Sequence, residues 1–197
     1  MSPDLVWLMI WVSTLGVPFM IGLTAIQWWS TNDRTKIRHI TITAGLSFIL
    51  GLIMNQVILL FVHRMRPYDS GITHLFIERS PDFSFPSDHA TASFAIASAF
   101  LVKGRRSWGI LFGLAALIIC LSRVFLGTHY LSDVIAGAFT GILASVAVES
   151  ANSFGTGVGV CSWAATAKRK LRDEQKTGSR PPQARGAGLE RLRGAQN

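Results

Sequence analysis

Residues 108–148 read WGILFGLAALIICLSRVFLGTHYLSDVIAGAFTGILASVAV, two apolar runs parted by a short stretch that carries Arg123, His129 and Asp133. Each run, 108–124 and 131–148, approaches the ~20 apolar residues with which a helix crosses a hydrocarbon core. Three further runs precede them, at about 5–28, 40–62 and 90–102. The third is short unless its helix begins near Ser87 and carries polar residues at its outer end. Only 15% of the 197 residues are charged and 49% are apolar, against about 25% charged in a soluble domain. Length and composition exclude a multi-domain machine. They predict an all-α, polytopic transmembrane bundle of five spans.

Charge orients that bundle. Arg34, Lys36 and Arg38 lie between the first two spans, Lys103, Arg105 and Arg106 between the third and fourth, and a basic tail follows the fifth. If the spans alternate, all three fall on one side, which the positive-inside rule makes cytoplasmic. The loops 63–86 and 125–130 then face outward. Trp28, Trp29 and Trp108 sit at the cytoplasmic ends, where an interfacial aromatic belt belongs. His63, Arg64 and Arg66 place positive charge on the outer side, against the rule, so something other than topology keeps them there. The first run lacks a basic n-region and a small-residue cleavage site and is too long for a signal peptide; it is expected to be a true span.

The chain divides into a membrane-embedded domain, 1–154, and a tail, 155–197. Between Lys168 and Arg193 the tail has nine Lys or Arg against Asp173, Glu174 and Glu190, which is +6 of the net +8. It is rich in Gly, Arg, Gln and Pro and is expected to be mostly disordered and cytoplasmic, with residues 162–174 able to form a short basic interfacial helix. Attraction to anionic lipid explains such a tail without a specific partner. No nucleic acid is expected as a partner, and a homodimer is compatible with such a bundle. Cys120 and Cys161 form no CxxC or pair spacing and read as filler.

The chemistry is expected at the outward helix ends. Arg66 closes the second span, Ser87, Asp88 and His89 open the third, Arg123 ends the fourth, and His129 with Asp133 opens the fifth. Polar groups at membrane depth are costly and mark function by default. His129 and Asp133 stand four residues apart, so on one helical face the carboxylate can accept from one ring nitrogen and leave the other free. Arg66 and Arg123 offer planar forks for phosphate oxygens, and the helix start at Ser87 offers free N–H groups. Each has a plainer explanation alone: a snorkelling arginine, an ordinary N-cap, an interfacial histidine. Five such coincidences at one face are improbable. His129 as nucleophile, His89 as proton donor and fixed positive charge suffice for in-line phosphoryl transfer. No metal and no cofactor is called for, since the arginines would repel a divalent ion.

These residues resemble the type 2 phosphatidic acid phosphatase superfamily. Its third motif, Ser-Arg, five residues, His, three residues, Asp, is matched by Ser122, Arg123, His129 and Asp133. Its second, Pro-Ser-Gly-His, stands as Pro86-Ser87-Asp88-His89, and its first ends in Arg66-Pro67. The first motif begins with a lysine where this chain has Leu59; Arg64 or His63 is the expected substitute. The Asp88 variant, with Ser84–His89 and Asn55, is most similar to the bacitracin-resistance branch. The resemblance implies a bacterial undecaprenyl-diphosphate phosphatase of the cytoplasmic membrane, with its site on the outer side and a six-helix architecture lacking here the short N-terminal helix. It implies that His129 becomes phosphohistidine, His89 protonates the leaving lipid phosphate, and Asp133 orients His129. Arg66, Ser87, Asp88 and Arg123 would hold the phosphoryl oxygens. Phosphatidate, phosphatidylglycerophosphate or a lipid A phosphate are the alternative substrates, and an idle membrane protein the alternative class.

Overall fold

The computed structural model describes residues 2–30, 33–73 and 75–176, with side chains as far as Ser153. The chain falls into two units, 1–153 and 154–197. Five α-helices account for the described backbone order: α1 (Pro3–Ile26), α2 (Arg34–Leu59), α3 (Asp88–Val102), α4 (Arg106–Phe125) and α5 (Leu131–Lys176). A single 3-10 turn, Gln27–Trp29, follows α1. Pro3 supplies the first turn of α1, where its missing N–H costs nothing.

Among the described residues, four helices are long and apolar enough to cross a membrane: α1 with its 3-10 turn, α2, α4 and α5 over Leu131–Ser153. The third run, expected as one of five spans, is the exception. At 15 residues, α3 rises only about 22 Å, short of a hydrocarbon core of about 30 Å. It does begin next to Ser87, so its polar outer end is part of the helix.

Shortness is tolerable because α3 lies inside the bundle, packed against α2, α4 and α1. Every residue from Ala90 to Phe100 except Phe94 is buried. The core groups Ala92, Ile96 and Phe100 of α3 with Met20, Ile40 and Phe112 from its neighbours. Phe100 and Phe112 meet edge to face at 5.0 Å between centroids, a geometry that adds to burial. Outside, Trp7, Trp11, Phe19, Ile53, Leu121 and Phe139 are exposed, a surface that suits lipid rather than water.

Close approach of α5 to α3 rests on two glycines one turn apart. A Cβ at Gly137 would stand 2.5 Å from the carbonyl oxygen of Ser87, and one at Gly141 would strike the Thr91 carbonyl and the Ala95 nitrogen, 2.8 Å away. Thr91 uses the gap, its hydroxyl donating to the Gly137 carbonyl at 3.0 Å. Small residues spaced by four are how helices meet where no hydrophobic effect drives them together. At the opposite end of α3, Lys103 and Glu149 form an ion pair, and the Arg38 guanidinium lies 5.1 Å above the Trp28 ring.

The backbone of α5 does not end with its apolar run. It stays helical to Lys176, so the irregular chain expected from residue 155 is helix at 155–176. Residues 164–176 are mostly Ala, Lys, Arg, Leu, Glu and Gln, all strong helix formers. The rest of the expected disordered tail, 177–197, lies outside the described residues.

Candidate active site

Gly127 sets the geometry. It takes φ +71°, a left-handed turn that a side chain disfavours. Its N–H bonds the Val124 carbonyl and the Thr128 N–H bonds the Arg123 carbonyl, at 3.0 and 3.1 Å. This Schellman closure stops α4 and folds the chain back on its last turn. The Thr128 hydroxyl adds a bond to the same Arg123 carbonyl at 2.8 Å. His129 is thereby returned alongside the Arg123 side chain, with Nε2 3.4 Å from Nη2.

Arg123 is buried, and its other amino group donates to the Ser13 hydroxyl of α1 at 2.6 Å. Its Nε is buried with no partner among the described residues, as is the Ser87 hydroxyl. Ser87 is the N-cap of α3, yet its side chain makes no capping bond. The oxygen of a serine in that position ordinarily accepts a hydrogen bond from a first-turn N–H; here hydroxyl and first-turn amides are left for another occupant.

His129 is 4% exposed, and its Nδ1 stands 2.8 Å from the Ser84 carbonyl oxygen. A carbonyl only accepts, so Nδ1 carries the proton and Nε2 keeps its lone pair. Burial, and then the cations Arg123 and Arg66, push the imidazole pKa down to about 3, against the pull of the Ser84 carbonyl. The ring is neutral at physiological pH.

Two expectations are corrected. First, Asp133 does not bond His129. α5 starts only at Leu131, so His129 precedes the helix and four-residue spacing no longer puts the two on one face. Asp133 Oδ2 accepts instead from the Tyr130 N–H at 3.0 Å and the Ser84 hydroxyl at 2.5 Å, and Oδ1 from Arg64 Nη1 at 2.6 Å. Second, Arg66 does not close α2, which ends at Leu59. Arg66 sits in the following loop, 6% exposed. Nε donates to the Asp82 carbonyl at 2.8 Å, Nη1 to the Thr128 carbonyl at 3.3 Å and Nη2 to the Ser80 hydroxyl at 3.2 Å. It ties the long loop to the His129 turn.

At the start of α3, the Ser87 N–H donates to the Asp133 carbonyl at 3.1 Å, joining the two helix ends. The Asp88 carboxylate accepts from Asn55 Nδ2 at 2.7 Å, and the same nitrogen reaches Thr91 at 2.8 Å. His89 follows, half-buried on the first turn. Of the two expected substitutes for the lysine at Leu59, Arg64 bonds Asp133 and Ser132 through Nη1, and the exposed His63 packs edge-on to Phe83 at 4.7 Å.

Sequence reading missed Ser13, Ser84 and the role of Arg64. Ser84 lies within the Ser84–His89 stretch and could have been suspected; Ser13, 110 residues before its partner, carries no local signal. An apolar groove of about 320 Å³, lined by Phe94, Leu117, Cys120, Leu121, Val134 and Phe139, runs between α3, α4 and α5. Val124 and Leu131 also line it, so its upper end adjoins the His129 turn.

Fold and site together define a class: polytopic membrane proteins with a buried histidine–arginine cluster suited to an oxyanion at one end of the bundle. Residues 40–165 match the family model described as the PAP2 superfamily, and the chain belongs to that family. Undecaprenyl-diphosphatase BcrC of Bacillus subtilis (strain 168) is 34% identical over 129 residues, covering 64% of each chain. An undecaprenyl-diphosphatase of Sulfolobus acidocaldarius is 31% identical over 119 residues, 58% of each chain. The match thus spans less than two thirds of these relatives. The crystal structure of a transmembrane PAP2 type phosphatidylglycerolphosphate phosphatase from Bacillus subtilis has the same fold, with TM-score 0.58 at 24% identity over 78% of this chain and 79% of that one.

Proposed function

We propose that the protein is a lipid phosphatase that removes the terminal phosphate of undecaprenyl diphosphate at the outer face of the bacterial cytoplasmic membrane, recycling the carrier for cell-wall synthesis. The observation that carries this is the fixed tautomer of His129: Nδ1–H is held by Ser84 while the Nε2 lone pair faces Arg123. A neutral, oriented imidazole beside unpartnered donors is a nucleophile with an oxyanion cradle. Nε2 attacks the terminal phosphorus, the bond to the bridging oxygen breaks with its electron pair going to that oxygen, and His89 supplies the proton. Burial and the cations Arg123 and Arg66 lower the His89 pKa to about 4, and the negative charge of the bound diphosphate raises it so that the ring binds the proton it delivers. Water then attacks the phosphohistidine, giving its proton to His89, and phosphate leaves. Arg123, with Ser87 and the first-turn amides of Asp88 and His89, stabilises the equatorial oxygens.

The identity to the two undecaprenyl-diphosphatases supports the substrate, and the apolar groove beside the site suits a long hydrocarbon tail. That lining is wholly aliphatic, aromatic and thiol, with no polar group to tell a prenyl chain from an acyl chain. It equally favours a second reading, a broader phospholipid phosphatase acting on phosphatidate or phosphatidylglycerophosphate. The loop charges support the outward placing of the site.

The test is phosphate release by the purified protein in detergent micelles from undecaprenyl diphosphate, phosphatidate and phosphatidylglycerophosphate, with EDTA present. Preference for the polyprenyl diphosphate is expected. His129→Ala should lose activity on the order of 10⁶-fold, as removal of a covalent catalyst does. Faster hydrolysis of a glycerophospholipid would transfer the site to the second reading, and substantial activity in the variant would end the nucleophile assignment.

A further inference from the structure

Three segments distant in sequence close a ring of hydrogen bonds beneath His129. The Ser84 N–H donates to the Arg64 carbonyl at 2.8 Å. The Ser84 hydroxyl donates to Asp133 Oδ2 at 2.5 Å. Asp133 Oδ1 accepts from Arg64 Nη1 at 2.6 Å, which returns the ring to its start. Ser84 and Asp133 have no exposure at all. Arg64 is fixed further by Ser132 at 2.6 Å and by the Tyr130 ring 3.9 Å beneath its guanidinium. From this ring a single group reaches the imidazole, the Ser84 carbonyl.

We propose that Ser84 is the positioning residue through which Asp133 acts on His129. The carboxylate has no direct bond to the ring; it holds the Ser84 hydroxyl, and so the peptide whose carbonyl fixes the tautomer and aim of the nucleophile. Arg64 holds the Ser84 backbone from its N–H side and neutralises the buried carboxylate. The outer-side positive charge at Arg64, unexplained by topology, has its reason in this ring. The inference rests on His129 being the nucleophile, as proposed above.

The ring is tested by a double-mutant cycle on the full chain in micelles, with steady-state kinetics on undecaprenyl diphosphate and alkaline quenching to count phosphohistidine. Ser84→Ala keeps the carbonyl and removes its tether. It should lower kcat about ten- to a hundredfold, the loss of one charge-assisted bond, with KM little changed. Ser84→Thr, which restores a hydroxyl, should recover most of the rate. Because both side chains act along one route, Ser84→Ala with Asp133→Asn should be no slower than the slower single variant. Multiplying effects would overturn the proposal, since Asp133 would then reach His129 another way, as would a wild-type kcat in Ser84→Ala. If Ser84→Ala does not fold, Ser84→Cys, similar in volume but a weak donor, must lower kcat in the same direction, and a wild-type rate refutes the ring. Wild-type protein that turns over without any phosphohistidine would remove the nucleophile assignment, and this proposal with it.

Discussion

Gly137→Ala adds one methyl group at the contact of α5 with α3. The new Cβ would lie 2.5 Å from the Ser87 carbonyl oxygen, 3.0 Å from the Ala90 Cβ and 3.1 Å from the Thr91 hydroxyl. A carbon and a carbonyl oxygen rest no closer than about 3.3 Å, so the helices must part by about 0.8 Å here. The obstacle is backbone and cannot swing aside. Overpacking of this kind costs roughly 1–3 kcal/mol. The displacement also falls on Ser87, whose N–H is bonded to the Asp133 carbonyl and whose hydroxyl faces the proposed substrate. A misplacement near 1 Å is worth about a hundredfold in rate, so a loss of about ten- to a hundredfold in kcat is expected. Gly113→Ala on α4 is the control, because its Cβ would meet nothing within 4 Å; it should keep its activity and gain up to about 1 kcal/mol in helix propensity. Phosphate release and thermal unfolding in the same micelles read both quantities. Equal kcat and stability in the two variants would refute the close packing of α5 on α3.

Arg123→Ala should reduce kcat by roughly 10²–10³-fold, as for loss of one transition-state donor; a change below about threefold would make it only an interfacial anchor. Asn55→Ala frees Asp88 and Thr91 together, and with a charge-assisted bond at stake should lower stability by about 2–3 kcal/mol, read as a fall in unfolding temperature. The His129 ring, held down to about 3 when folded, titrates near 6.5 when unfolded. The unfolded chain therefore takes up a proton that the folded one refuses, and stability contributed by this group falls as pH drops from about 6.5 towards 3, with no effect above. In ¹⁵N-histidine spectra the ring should stay neutral at pH 5, and a midpoint near 6.5 would contradict its burial.

Much of the site was legible because its chemistry is spaced locally. Arg123 and His129 are linked by one turn, and Ser87 opens a helix whose start was marked by Pro86 and the apolar run beyond. Four of the five expected spans were legible from hydropathy, within a few residues at most ends, while the third run forms the shorter α3. What failed was inference about contact. The pairing of His129 with Asp133 assumed that both were helical, whereas Gly127 and the cap at Tyr130 place the helix start between them. Arg66 was placed on α2 because the apolar run continues to Val62, yet the helix stops at Leu59 before the His63–Pro67 stretch. Ser13 is ordinary in its own neighbourhood, and Arg64 and Asn55, though singled out by charge and by the resemblance, gain their contacts, as Ser13 does, from partners 69, 33 and 110 residues away.

The ring joining Arg64, Ser84 and Asp133 also orders events during synthesis. Chain emerges from the ribosome N-terminus first, so α1 to α4 are available before Asp133 and His129 are made. Until α5 enters the bilayer, the Ser84 hydroxyl lacks its acceptor and Arg64 lacks its counter-ion. On the proposed function, catalytic competence would therefore arrive only with α5, whose start brings Asp133 beside the His129 turn.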